Sequence, residues 1–196
     1  MRKLSAVLAI GLAGAIATPA QAAVLTWTTN LSAAQEVAPN ISNSTATGFG
    51  MVQFDDTTNV LTLNLRWQGL TVGARAGHIH CCVASPPGNV AVALDLFGPL
   101  AGLGAAGSFN IVHDLDLFNP FTSGFTAANG GSALSAMTAL AGAMNAGGGR
   151  AYYNIHTSTF PGGEIRGNLV VPEPATLSLL IGALGLLVAG RKFARS

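Results

Sequence analysis

Leu61-Thr62-Leu63-Asn64-Leu65-Arg66-Trp67 alternates apolar and polar residues without a break. A period of two puts Leu61, Leu63, Leu65 and Trp67 on one face of a β-strand and Thr62, Asn64 and Arg66 on the other. Asp55-Asp56-Thr57-Thr58-Asn59 precedes it as a hairpin turn, since Asp and Asn tolerate turn conformations. Thr47 to Phe54 reads as the partner strand. Ala23 to Asn30, Gly77 to Cys82, Val90 to Phe97 and Ser108 to Leu115 supply further strands. Arg150 to Thr157 and Glu164 to Val171 form a terminal hairpin through Phe160-Pro161-Gly162-Gly163. Asn119 to Gly131 has no regular period. In Ser132 to Ala146 the period changes to helical, with Leu134, Met137, Leu140, Ala141 and Met144 on one face, Ser132 as N-cap and Gly147 as stop. Short strands with turn signals and a single helix predict a mainly β domain, an antiparallel Greek-key β-sandwich or, as the alternative, a Greek-key barrel.

The ends differ in kind from this core. Arg2 and Lys3, an uncharged apolar run from Leu4 to Ala17, and Thr18-Pro19-Ala20-Gln21-Ala22 make a secretory signal peptide over residues 1–22, cleaved after Ala22 by signal peptidase. The alternative is a membrane-spanning helix, for which the run is short. A second apolar run, Leu177 to Gly190, ends in Arg191, Lys192 and Arg195. It is below the roughly 20 residues of a usual span, but a basic tail that snorkels would let it cross and would remain cytoplasmic. Pro172 and Pro174 mark a linker in front of it.

Between the ends, residues 24–171 carry four arginines against seven carboxylates, a net charge of −3 with histidine neutral. No basic stripe exists, which argues against nucleic acid as a partner. The length suits one domain with a real core, 23–171.

Gly77-His78-Ile79-His80-Cys81-Cys82 holds two of the four histidines and both cysteines. On a strand, His78, His80 and Cys82 share a face. Tyr152, Asn154 and His156 share a face of the penultimate strand, and Glu164, Arg166 and Asn168 share one on the last. A register placing His156 against Glu164 also opposes Asn154 to Arg166 and Tyr152 to Asn168. One wall of the hairpin is then polar. If the strand of His78 and His80 lies beside it, three imidazoles and a carboxylate converge. That set suits zinc or copper, and a thiolate from Cys82 would favour copper(I) or zinc. Glu164 or Asn154 could orient an imidazole. The competing reading is a metal-free polar face with Arg166 paired to Glu164. His113 has no motif around it and reads as an exposed or core-edge histidine.

Cys81-Cys82 has three readings: a vicinal disulfide, free thiols, or metal ligands. Two cysteines in an oxidising compartment usually pair. Adjacent residues are about 3.8 Å apart at Cα across a trans peptide, below the usual disulfide range.

The C-terminal Pro172-Glu173-Pro174, apolar run and basic end resemble the PEP-CTERM sorting signal of Gram-negative bacteria. The resemblance implies recognition of residues 172–196 by an exosortase, transient anchoring in the inner membrane through the hydrophobic helix, and release to the cell surface or extracellular matrix. A permanent C-terminal anchor is the alternative. Leu31 to Val37, Ala76-Gly77-His78-Ile79-His80, Tyr153-Asn154-Ile155-His156-Thr157 and Pro161 to Gly167 resemble the CHRD (chordin-like) domain. Gly77 stands where that family usually has Ala, and Cys81-Cys82 replaces the usual Gly after His-x-His. The resemblance implies an immunoglobulin-like or superoxide-dismutase-like sandwich and no catalytic activity. A dismutase needs more ligands than His78, His80, His113 and His156 can supply. The expected function is that of a non-enzymatic surface or matrix protein whose partners are exopolysaccharide, surface proteins or itself. A copper- or zinc-binding protein using His78, His80 and His156 is the alternative, and a small redox enzyme using Cys81-Cys82 a third.

Overall fold

In a computed structural model, residues 24–96 and 103–172 are described. The proposed signal peptide and the sorting tail beyond Pro172 lie outside them. Among the described residues no helix is long and apolar enough to cross a membrane.

The strands are β1 Val24–Ser32, β2 Thr47–Asp55, β3 Val60–Gln68, β4 Ala74–Cys81, β5 Val92–Asp95, β6 Gly107–Asp114, β7 Ala151–Thr157 and β8 Ile165–Asn168. They form one eight-stranded sheet in the order β5-β4-β7-β8-β1-β2-β3-β6, curled into a half-barrel. Every pairing between neighbouring strands is antiparallel. The expected mainly β, antiparallel class holds. The strands lie in one continuous, curled hydrogen-bonded sheet, nearer to the barrel alternative than to the two stacked sheets of the sandwich. The physical reason is in the order itself: β8 reaches β1, so the terminal strands join two groups of strands into one curled surface.

The alternation of β3 is realised in full. Leu61, Leu63 and Leu65 are fully buried and Trp67 nearly so, while Arg66 is exposed. Burying each such aliphatic side chain contributes about 1.5–3 kcal/mol. Trp27, Leu31, Val52, Ile79, Tyr153, Ile155, Ile165 and Leu169 join them in the core. Gly50 is needed for that packing: a Cβ there would lie 2.5 Å from the Tyr153 ring. The Tyr153 hydroxyl donates to the Met51 carbonyl at 3.0 Å, so the ring is buried with its polar tip satisfied.

Among the described residues two α-helices accompany the sheet, where one was expected within the domain. Helix α1, Ser123–Ala128, lies in the stretch that has no period in the sequence. It is too short for a period to show, and Thr122 caps it by accepting from the Phe125 amide. Helix α2, Ala133–Ala146, has the N-cap and stop read from sequence, with a capping box between Ser132 and Ser135 and Gly147 at φ 63°. Its Met137, Leu140 and Met144 are completely buried, and Asn145 accepts from the Trp27 indole at 2.9 Å. Strand β5 is shorter than the predicted Val90 to Phe97.

Alternation leaves the side opposite Ile79, Ile155 and Ile165 to His78, His80, Tyr152, Asn154, His156 and Arg166. In a half-open sheet this outer side would normally be solvated. Here contacts from the turn Ala33–Gln35 with Glu36, from residues 88–90 and from residues 160–163 cover it.

Candidate metal centre

Strand β7 lies between β4 and β8 and supplies the middle of the site. Across β4, His78 opposes Asn154, His80 opposes Tyr152 and Ala76 opposes His156. Across β8, Asn154 opposes Arg166 and Tyr152 opposes Asn168. This register brings together the residues that the sequence had placed on separate strands.

The three imidazoles converge. His78 Nδ1 lies 3.0 Å from His156 Nε2, and one nitrogen from each of His78, His80 and His156 lies within 4.8 Å of the others. Two nitrogens bound at about 2.0–2.1 Å to one ion can be at most about 4.2 Å apart. A small side-chain rotation therefore closes the widest pair.

Backbone carbonyls dictate the tautomers. His80 Nδ1 is 2.7 Å from the Val90 carbonyl oxygen, and His156 Nδ1 is 3.0 Å from that of Pro161. A carbonyl only accepts, so both Nδ1 atoms carry the proton and both Nε2 atoms present a lone pair. In the metal-free protein His78 Nδ1–H donates to His156 Nε2. His80 Nε2 has no partner although it is buried. Burial lowers the pKa of all three rings, to about 4 for His80 and His156. Near neutral pH the cluster is uncharged, the form in which imidazole binds a metal.

Tyr152 holds His80 in place. The two rings stack at 4.7 Å and 7°, and the Arg166 guanidinium lies 3.4 Å from the Tyr152 centroid. Arg166 donates to the Gly88 carbonyl and to Asn89 Oδ1, fixing the covering loop. It does not pair with Glu164, contrary to the metal-free reading, because that carboxylate is engaged elsewhere. Glu164 precedes β8, where alternation no longer governs its direction. It accepts from Ser44, from the amide and hydroxyl of Thr71, and from Thr157. Burial raises its pKa, but these bonds outweigh that and hold it below the usual value.

The carboxyl beside Asn154 belongs instead to Glu36, which the sequence reading passed over. Asn154 Nδ2 donates to Glu36 Oε1 at 2.6 Å. Burial raises the Glu36 pKa to about 7, against the lowering effects of Asn154 and Arg166. Its signal was available: Glu36 is the only carboxylate between Val24 and Phe54. Asn154 Oδ1 is buried without a donor, a second unsatisfied acceptor on this face.

Cys81 and Cys82 are joined by a disulfide across a cis peptide bond. Their Cα separation is 3.1 Å, not the trans spacing expected from sequence, since a cis peptide brings adjacent Cα atoms closer. As disulfide sulfurs they offer no thiolate to a metal. His113 stands apart from the three clustered rings: it lies on β6, opposite Leu61 and stacked on Phe118 at 5.0 Å. Glu173, Pro174, Arg191, Lys192 and Arg195 lie outside the described residues, and Pro172 is exposed at their edge.

The family model of the CHRD domain matches residues 27–169, nearly the whole described sheet. The chain belongs to the CHRD domain family. No curated protein and no solved structure matches it. The matched span of the CHRD domain contains all three clustered histidines, Glu36 and the Cys81–Cys82 pair.

Proposed function

We propose that this CHRD domain is an exported, non-catalytic binding module that holds one copper or zinc ion through His78, His80 and His156. The observation that carries the reading is the buried, unpartnered Nε2 of His80, beside two more imidazole nitrogens. An unsatisfied buried acceptor costs about 1–3 kcal/mol. A cation bound at that lone pair removes the cost and recruits the other two rings. Three neutral imidazoles suit zinc and copper better than magnesium or calcium, which favour oxygen ligands.

The test is metal analysis of protein purified without a His tag, refolded and supplied with copper or zinc. One ion per chain is expected, lost in His80→Ala and His156→Ala. Failure of the wild type to retain stoichiometric metal would overturn the reading.

Export rests on the sequence. Residues 1–22 act as the signal peptide, and 172–196 act as a PEP-CTERM sorting tail that exosortase removes, delivering the domain to the cell surface or matrix. Exopolysaccharide or other surface proteins are its partners there. Deleting residues 172–196 should abolish envelope retention or processing; unchanged localisation sinks the sorting proposal.

A further inference from the structure

Beside the imidazole cluster is a cavity of about 500 Å³. His78 and His156 form part of its wall, with Arg75, Thr157, Ser158 and Pro161. We infer that this cavity admits a small anion, an oxyanion such as a carboxylate or phosphate, to an open position on the metal held by His78, His80 and His156. The inference rests on the metal reading above and adds to it a second ligand of defined charge.

Charge balance is the first argument. Three neutral imidazoles leave a divalent ion with its full charge. The carboxylates near the site are placed otherwise. Glu164 is saturated by Ser44, Thr71 and Thr157. Glu36 is bonded to Asn154. Asp95 approaches the other nitrogen of His78, Nε2, at 3.9 Å. It does so from β5, which flanks β4 on the edge opposite β7 and His156. An anion from solution is the remaining way to neutralise the ion from the cavity side.

Coordination is the second argument. A site with three protein ligands keeps a fourth position for water or an exogenous ligand. Two of the three rings line the cavity, so that position opens towards it. The third argument is Arg75. It is exposed on the cavity wall, and among the described residues it forms no ion pair. Guanidinium matches oxyanion geometry by paired N–H donors. An anion on the metal would thus meet a second positive group.

The experiment uses the copper(II)-loaded protein and azide as the spectroscopic probe. Copper stoichiometry is measured first; absence of bound copper overturns both this inference and the metal reading. With copper in place, azide should produce a ligand-to-copper absorption band and change the electron paramagnetic resonance spectrum. Arg75→Ala should weaken azide binding roughly three- to tenfold, with Arg75→Glu weaker still and Arg75→Lys between wild type and Arg75→Ala. Acetate and phosphate are then tested as competitors. Displacement by one or the other assigns the oxyanion class. Bound copper that ignores azide overturns the anion site and leaves the metal site standing. So does equal azide affinity in wild type, Arg75→Ala and Arg75→Glu, or failure of both oxyanions to compete.

Discussion

His78 Nδ1 and His156 Nε2 stand 3.0 Å apart, although 78 positions separate them in the chain. Only one proton can lie between the two nitrogens, and His156 cannot supply it, since its own proton is committed to the Pro161 carbonyl. His78 therefore donates in the metal-free protein. Binding a metal at His78 Nδ1 requires that proton to move to Nε2, the nitrogen facing Asp95 at 3.9 Å. Asp95→Asn should consequently lower metal affinity by about tenfold, the lower end of the effect of removing a carboxylate behind a ligating histidine. Isothermal titration of wild type and variant checks this, with unchanged affinity as the contrary result.

His78→Ala, His80→Ala and His156→Ala should each reduce affinity by more than about 100-fold, beyond the range for residues behind the ligands. His113→Ala should leave it unchanged, because that ring stacks on Phe118 away from the cluster. Competition with a chromophoric chelator measures both.

Glu36 and the histidines make stability depend on pH in opposite directions. The Glu36 pKa is raised to about 7, above the unfolded carboxyl value, so the unfolded chain releases this proton first. Its contribution is present below the unfolded value and is lost as pH rises through about 7. His80 and His156 are lowered to about 4, so their contribution is present above the unfolded histidine value and is lost as pH falls through about 4. Thermal melts of metal-free protein should show Glu36→Gln losing the decline between about pH 5 and 7 while keeping the acid-side decline. A wild-type profile unchanged by Glu36→Gln would contradict this.

Glu164 joins β7 to the segments at Ser44 and Thr71. Glu164→Ala leaves several donors unsatisfied at a fully buried position. It should cost about 2–4 kcal/mol, on the scale of buried charged hydrogen bonds. Urea unfolding reads the change. A loss under about 0.5 kcal/mol, the level of an ordinary surface substitution, would count against the network.

Gly163 has φ 132°, and a Cβ on it would lie 2.6 Å from the Asn154 amide and 2.7 Å from Glu36 Oε1. Gly163→Ala is both strained and in collision. Destabilisation of at least about 1 kcal/mol is expected in urea unfolding, and an unchanged midpoint would contradict it.

Much of the sheet was legible because period two is a direct record of burial. Leu61 to Trp67 has a single reading, and its hairpin partner β2 is fixed by a short turn, whereas its other neighbour, β6, comes from far along the chain. The histidine cluster was legible only conditionally. Alternation gave the faces of β4 and β7, but nothing in either strand states that they are neighbours. Helix α1 was hidden because six residues hold fewer than two turns. Glu164 was misplaced because alternation was extended past the start of β8, into a turn. Glu36 was missed because its role depends on a loop folding over the sheet, a relation that no local pattern encodes.

The central position of β8 has a kinetic consequence. It is the last of the described strands to be made, and it lies between β7 and β1, the first of them. Until residues 165–168 are available, the first three strands and the β4–β7 group share no seam. A nascent chain thus lacks the strand pairing between these two groups until almost the whole domain has emerged. Such non-local closure belongs to the slow, millisecond-to-second class of folding. The histidine-bearing strands β4 and β7 can pair before this, so assembly of the imidazole cluster and closure of the sheet are separable events in time.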